Sequence, residues 1–345
     1  MTAPQLEAVT AAEAFRRRSL TPVQRVQRAL HRHPEISPFI VLLAALAAFA
    51  LASPRFLQPS NLSLIFQQVS IVGSLAIGQT LIILTAGIDL SVGAIMILVT
   101  MVIGSLAGHV GLPGWLSLLI GLGVGAGAGF ANGVLVADIG LPPFIATLGT
   151  LNVFTAIALL MSGGRSIPGA ELGPFLTWTN VAFPIGPFQM TTGALLVIVM
   201  YIVVGFALSQ TAWGRHVYAV GDDASAARLA GIQVRHLLIN VYSVAGLVFA
   251  LSAWVLIGRV GAATTNSAVD ANLDSITAVV IGGTSLFGGR GSLLGTFLGA
   301  VIVGAFRNGL ALARFDVLYQ TLAIGLLIIA AVSLDQWIRR VGVQK

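Results

Sequence analysis

The sequence predicts an all-α, polytopic membrane protein of about ten transmembrane helices, and three observations predict it. The chain is 57% hydrophobic and only 9% charged, where a soluble domain carries about 25% charged residues. Its apolar residues fall in long, nearly charge-free runs of the length that crosses a bilayer as a helix. The alternating segments of about 10 residues that mark membrane-spanning strands are absent.

Residues 1–36 read as a polar arm. Arg16, Arg17 and Arg18 precede an apolar stretch from Phe39 to Ala52. An arm this long, carrying Glu7, Glu13 and Glu35, exceeds a secretory leader's charged region. It is therefore read as a cytoplasmic arm before an uncleaved first span. A transmembrane domain over 37–336 follows, then a cytoplasmic tail over 337–345. Spans are expected at 37–53, 61–84, 91–109, 114–137, 143–161, 191–209, 237–257, 273–287, 291–306 and 317–334. The eighth and ninth are short enough for half-helices or a re-entrant pair. With the N-terminus inside, thirteen of the 18 basic residues fall on the cytoplasmic side. Only Arg55, Arg165, Arg259, Arg307 and Arg314 fall outside. This bias follows the positive-inside rule and puts both termini in the cytoplasm. The implied location is the bacterial inner membrane.

Composition closes several functions. There are no cysteines, which excludes disulfides, thiolate nucleophiles and Cys-bound metal. The sole lysine is Lys345, so no Gly-rich loop is followed by the lysine a P-loop needs. Any ATP that drives this chain is hydrolysed elsewhere. The net charge of +6 is read as cytoplasmic anchoring and not as nucleic-acid binding, because the arginines border apolar runs.

Glycines organise the spans. Gly121, Gly125 and Gly129 recur every four residues, as do Gly291, Gly295 and Gly299. Each set puts small residues on one helix face, where helices approach closely in lipid. Residues 121–126 also fit a loose dinucleotide fingerprint, but no strand precedes them, so packing is the reading taken. Residues 85–98 (TAGIDLSVGAIMIL) and 282–295 (GGTSLFGGRGSLLG) are both Gly-rich breaks between apolar runs. They suggest two weakly similar halves, a common transporter plan.

The first break holds Gly87, Asp89, Ser91 and Gly93; the second holds Gly288 and Gly289. Asp89 and Ser91 suit the N-cap of the helix that follows. An acidic group beside a span is also a functional candidate, and Asp89 is read as the one plausible acidic group within reach of the membrane. All six residues are candidates for a gate or hinge. Gln67, Gln68, Gln79, Asn132, Asn152 and Asn240 are candidates for a solute path, since neutral amides suit hydroxyl groups. Hydrogen bonding between helices is their commoner use.

The loop from Thr211 to His236 contains a short, well-specified helix. Asp222 or Asp223 suits its start, where a carboxylate meets the positive dipole end. Ala226, Ala227 and Leu229 are strong helix formers, Arg228 lies in the last turn, and Gly231 fits the C′ position. Two turns are marginal alone in water, so a docking partner accounts for this helix better than a bare connector.

This loop, the 87–93 segment, 142–150 (PPFIATLGT) and 281–292 (IGGTSLFGGRGS) together resemble the permease subunits of bacterial ABC importers of the ribose, arabinose and xylose type. The likeness runs from about Asn61 to Asp335. It implies ATP-driven import of a monosaccharide, a pentose or a hexose. It implies a second permease copy, as homodimer or paralogue heterodimer, a cytoplasmic ABC ATPase and a periplasmic sugar-binding protein. No cofactor and no metal would be bound by this chain, and ATP and Mg would be used by the partner ATPase. The chain would have no catalytic residue. By the same resemblance Asp222, Asp223, Ala226, Ala227, Arg228, Leu229 and Gly231 form the helix that docks on the ATPase. The Glu-Ala-Ala type of sequence often found there is replaced by Ser225-Ala226-Ala227. The rival expectation is an ion-coupled secondary transporter of a small polar solute, which would need intramembrane ion ligands.

Overall fold

The computed structural model describes residues 36–265 and 271–340. Residues 1–35 of the N-terminal arm, residues 266–270 and the last five residues of the tail lie outside the described residues. Among the described residues seven helices are long and apolar enough to cross a membrane, and three shorter apolar helices accompany them. The protein is a polytopic α-helical membrane protein.

Helix α1 (Ile36–Ala52) leads into α2 (Pro59–Leu84), whose last twelve residues are all buried. Helix α3 (Val92–Gly104) continues through a π-turn, Ser105–His109. Then come α4 (Gly114–Ala137) and α5 (Pro143–Ser162), which starts on a proline whose missing N–H costs nothing in a first turn. The segment that follows α5 holds β1 (Ile167–Pro168), helix α6 (Gly169–Thr177), and a hairpin of β2 (Ala182–Ile185) with β3 (Phe188–Thr191). Helix α7 (Thr192–Gln210) is followed by α8 (Ala212–Asp222), α9 (Ala224–Leu229) and α10 (Val234–Val260). Strand β4 (Ala262–Ala263) pairs with β1. The chain ends with α11 (Ala271–Ile281), α12 (Leu293–Leu312) and α13 (Val317–Arg340).

Two boundaries differ from expectation. The eighth span is a half-helix, because α11 stops at Ile281 and residues 282–287 belong to the break. The ninth is full length, because α12 continues past Arg307 to Leu312. Arg307 is tolerated inside it by an ion pair described below.

Helix α7 shows how one span serves two environments. Val197, Met200, Val204 and Leu208 are buried, whereas Leu195, Val199, Ile202, Val203 and Phe206 are exposed. Both sets are apolar, so the outward set suits lipid.

The glycine rows pack helix backbones together. A Cβ on Gly125 would lie 2.6 Å from the Ala250 Cβ of α10, and one on Gly129 would collide with the Tyr242 carbonyl oxygen. In the second row, a Cβ on Gly299 would collide with the Ala278 carbonyl oxygen of α11. Side chains there would wedge the helices apart.

The two breaks share a geometry. Helix α2 ends with the Gly87 N–H donating to the Ile82 carbonyl at 3.1 Å, and α11 ends with the Thr284 N–H donating to the Val279 carbonyl at 3.2 Å. In both, the residue before the donor is left-handed: Ala86 at φ 62° and Gly283 at φ 83°. Ala86 and Gly283 are also matched in the two segments the sequence pairs. A β-carbon in that conformation is uncommon, so Ala86 is a strained corner held by its surroundings.

Candidate functional site

We call the end of the bundle carrying α8 and α9 the inner end, after the charge bias, and the opposite end the outer end. Helix α9 is built as the sequence predicts. Asp223 Oδ1 accepts from the Ser225 and Ala226 N–H groups at 2.8 and 3.0 Å. At the other end the Ile232 N–H donates to the Ala227 carbonyl at 3.0 Å. Gly231 provides the left-handed residue, at φ 87°, that this closure requires. Ala226, Arg228 and Leu229 face outward, with Leu229 91% exposed. Ala227 is buried and forms the seat of the helix. Asp222 belongs to the preceding helix, α8.

Helix α8 was not foreseen. Its buried residues are Gly214, Val217, Val220 and Gly221, spaced three, three and one apart on one face, which is the stripe of an amphipathic helix. Thr211 caps it, accepting from the Gly214 N–H at 3.2 Å. Its buried face clasps the second break. The Tyr218 hydroxyl donates to the Gly291 carbonyl at 3.0 Å.

At the end of α8 three backbone segments meet. The Gly289 N–H donates to the Leu84 carbonyl at 3.0 Å, joining the second break to the end of α2. A Cβ on Gly221 would lie 2.6 Å from the Gly289 nitrogen and collide with the Leu84 oxygen. One on Gly289 would lie 2.8 Å from the Asp222 Cα, and one on Gly288 would lie 2.6 Å from the Gly221 oxygen. The first break, the second break and the element leading into α9 are therefore in backbone contact.

The first break is anchored on every side. Asp89 is buried, and its Oδ1 accepts from both the N–H and the hydroxyl of Ser91 at 2.6 Å. Ser91 sits at the N-cap position of α3, yet its side chain makes no cap bond. The expected side-chain cap is thus replaced by an Asx-type turn that starts two residues earlier, at Asp89. The Asn132 amide of α4 donates to the Ser91 hydroxyl at 2.8 Å. Thr147 of α5 accepts from the Leu90 N–H at 3.1 Å, and the Gly93 N–H donates to Asn272 of α11.

The outer end carries a cavity of about 600 Å³ between α2, α11 and α12. Asn61 and Gln68 of α2, Arg259 of α10, Asp274 of α11, and Arg307 and Asn308 of α12 line it. Arg307 and Asp274 form an ion pair at 2.8 Å. Asn61 and Asn308 exchange amide hydrogen bonds at 2.8 and 3.0 Å. The Arg259 guanidinium donates to Gln67 at 3.4 Å.

The six amides proposed for a solute path are thus not one group. Gln68 lines the outer cavity and Gln67 lies beside it through Arg259. Asn132 belongs to the inner corner. Gln79 is fully buried in α2 with neither amide atom bonded. Asn152 and Asn240 are exposed on α5 and α10. Asp274 and the two arginines were missed, and Asp89 is not the only acidic group within reach of the membrane. Asp274 lies inside the predicted eighth span, and an ionisable group there is itself a signal.

A bundle of apolar helices with two glycine breaks joined to a capped helix at one end, and a polar cavity at the other, has the build of a solute permease. A family model described as a branched-chain amino acid transport system permease component matches residues 61–332, and the chain belongs to this permease family. The chain is 47% identical to the fructose import permease protein FrcC of Rhizobium meliloti, over 93% of this chain and 91% of that one. It is 37% identical to the ribose import permease protein RbsC of Bacillus subtilis, over 88% and 92%. It is 34% identical to the D-allose transport system permease protein AlsC of Escherichia coli, over 88% and 91%. No solved structure matches.

Proposed function

We propose that this chain is the membrane-spanning subunit of an ATP-driven importer that carries a monosaccharide inward across the cytoplasmic membrane. The backbone junction of Gly221, Gly289 and Leu84 carries the reading. It connects the exposed helix α9 to both breaks without an intervening flexible side chain. A separate cytoplasmic ATPase, using ATP and Mg, docks on Ala226, Arg228 and Leu229. Closure of that ATPase displaces α9, and α8 passes the displacement to the ends of α2 and α11. Ala227 is the inward seat of the helix, so its substitution acts on the helix's position and not on the docking face.

A second permease copy completes the membrane unit, and a periplasmic binding protein delivers the sugar to the outer end. Both termini are cytoplasmic. Relatives named for fructose, ribose and allose supply the substrate class. This chain contributes no covalent chemistry, only a path and its gating.

The test is reconstitution of the permease with its ATPase and binding protein in vesicles. Labelled D-fructose, D-ribose and D-allose are offered with and without ATP. ATP-dependent accumulation of one of them is expected. Accumulation driven by an ion gradient without ATP would overturn the reading in favour of an ion-coupled transporter.

A further inference from the structure

We infer that the outer cavity is a saccharide-binding vestibule within one permease chain, so that this subunit recognises the sugar itself and does not only conduct it. The inference rests on the import reading and gives it a site.

The chemistry of the lining carries the argument. A neutral polyol offers hydroxyl groups that both donate and accept, so its site needs both partners close together. The cavity supplies them. The Asp274 carboxylate accepts only, and the Arg259 and Arg307 guanidiniums donate only. The Gln68 and Asn308 amides do both. Hydrogen bonds to ionised groups are roughly twice as strong as neutral ones, so a few suffice to hold a solute that water competes for.

An inorganic anion fits less well. Arg307 is paired with Asp274 at 2.8 Å, and that carboxylate would repel a second negative charge. Its Nε is nonetheless buried with no hydrogen-bond partner among the described residues. Among the described residues, Arg259 holds only the weak 3.4 Å contact to Gln67, which a ligand can replace at little loss. The volume, about 600 Å³, accommodates roughly twenty waters at about 30 Å³ each, or one monosaccharide with part of its hydration. The walls of Val69, Val72 and Ala300 suit the apolar faces of a sugar ring. The mouth is marked by Leu64, Gln68 and Ala311, all exposed.

The position has a consequence for transport. The Asp274–Arg307 pair spans α11 and α12, the two helices on either side of the second break. A hydroxyl that takes either partner's hydrogen bonds loosens that link. Sugar arrival and movement of the break are then coupled through one ion pair.

The absence of cysteine makes the test direct. Ala311→Cys puts a single thiol at the mouth, and a membrane-impermeant maleimide added outside reports its access. In the reconstituted full complex, the sugar that the complex imports slows labelling at least threefold at millimolar concentration. An equal concentration of inorganic phosphate leaves the rate unchanged. Arg259→Gln or Asp274→Asn, placed in the Ala311→Cys chain, raises the half-protecting sugar concentration about tenfold. A thiol at Asn180, exposed between α6 and the β2–β3 hairpin, is labelled at the same rate with and without sugar. Uptake measured on the same vesicles separates the two claims. Intact uptake with no protection by the imported sugar overturns the vestibule and leaves the import reading standing. Protection by phosphate overturns it in favour of an anion site. Labelling from the inside only overturns it by reversing the cavity's side.

Discussion

The inner junction and the outer cavity are joined in opposite ways. At the inner end backbone meets backbone: Gly221, Gly288 and Gly289 leave no room for a β-carbon between α8, the second break and the end of α2. At the outer end, side chains reach across a cavity, with Asp274 to Arg307, Asn61 to Asn308 and Arg259 to Gln67 as the contacts. A backbone contact between glycines has no rotamer to absorb a displacement, so it moves as a unit. A side-chain contact breaks and re-forms one hydrogen bond at a time. The inner end is therefore suited to transmit a movement and the outer end to exchange partners with a solute.

The largest effect is expected where the glycine principle holds the bundle itself. Gly129→Leu drives a side chain into the Tyr242 carbonyl of α10. Overpacking costs about 1–3 kcal/mol, and more where backbone must shift. Folded yield and melting temperature in detergent should both fall sharply. A wild-type melting curve would mean that α4 does not lie against α10. Gly123→Ala, with nothing within 4 Å of its added carbon, is the matched substitution that should change nothing.

Next in size is the inner junction. Gly289→Ala places a carbon 2.8 Å from the Asp222 Cα. The bundle should survive, because the contact is local, yet ATP-dependent uptake should fall at least tenfold while the ATPase remains bound. Equal loss of uptake and of ATPase capture would assign the residue to docking and weaken the contrast between seat and docking face. A smaller effect is expected at the cap. Asp223→Ala removes the acceptor for two N–H groups, and loss of an N-cap costs about 1 kcal/mol. Hydrogen exchange over 224–230 should quicken, with uptake reduced but present.

The smallest effect belongs to an inner ion pair that uses side chains and not backbone. Arg235 donates two hydrogen bonds to Asp138, and these hold the Asp138 carboxyl below the ordinary carboxylate range. A depressed carboxylate pKa stabilises the fold above its unfolded pKa, and the gain is lost as pH falls through the folded value. The pair is exposed, so solvent and salt screen it. Asp138→Asn should leave the melting temperature unresolved from wild type at neutral pH and remove only a slight loss on acidification. A large drop at neutral pH would show that this exposed pair holds the inner end as firmly as the backbone junction does.

How much of this was legible depended on whether a signal was local. The spans, the glycine rows and α9 were, because hydropathy runs, four-residue spacing and the Asp223 and Gly231 caps each act within a few residues. The alignment of the two breaks was also visible, since Ala86 and Gly283 match in the paired segments. Helix α8 was hidden by its mixed composition: Arg215 and His216 interrupt the stripe that Val217, Val220 and Gly221 complete. The outer cavity joins residues as distant as Asn61 and Asn308, and no local pattern pairs them. Arg307 misplaced the end of the ninth span because a lone arginine reads as a boundary. Only the fold supplies the Asp274 that lets it remain inside.

In the proposed mechanism α9 receives the driving movement. Leu229 tests it most directly, because it is 91% exposed and its replacement leaves the packed bundle untouched. Leu229→Asp removes an apolar anchor and puts a charge where a contact would have to desolvate it. The measurement is ATP-dependent uptake by the variant in vesicles containing the ATPase and the binding protein, with ATPase capture recorded on the same preparation. Normal amounts of folded permease are expected, with an ATPase that no longer co-purifies and uptake reduced to background. Wild-type uptake with the ATPase fully retained would contradict this mechanism.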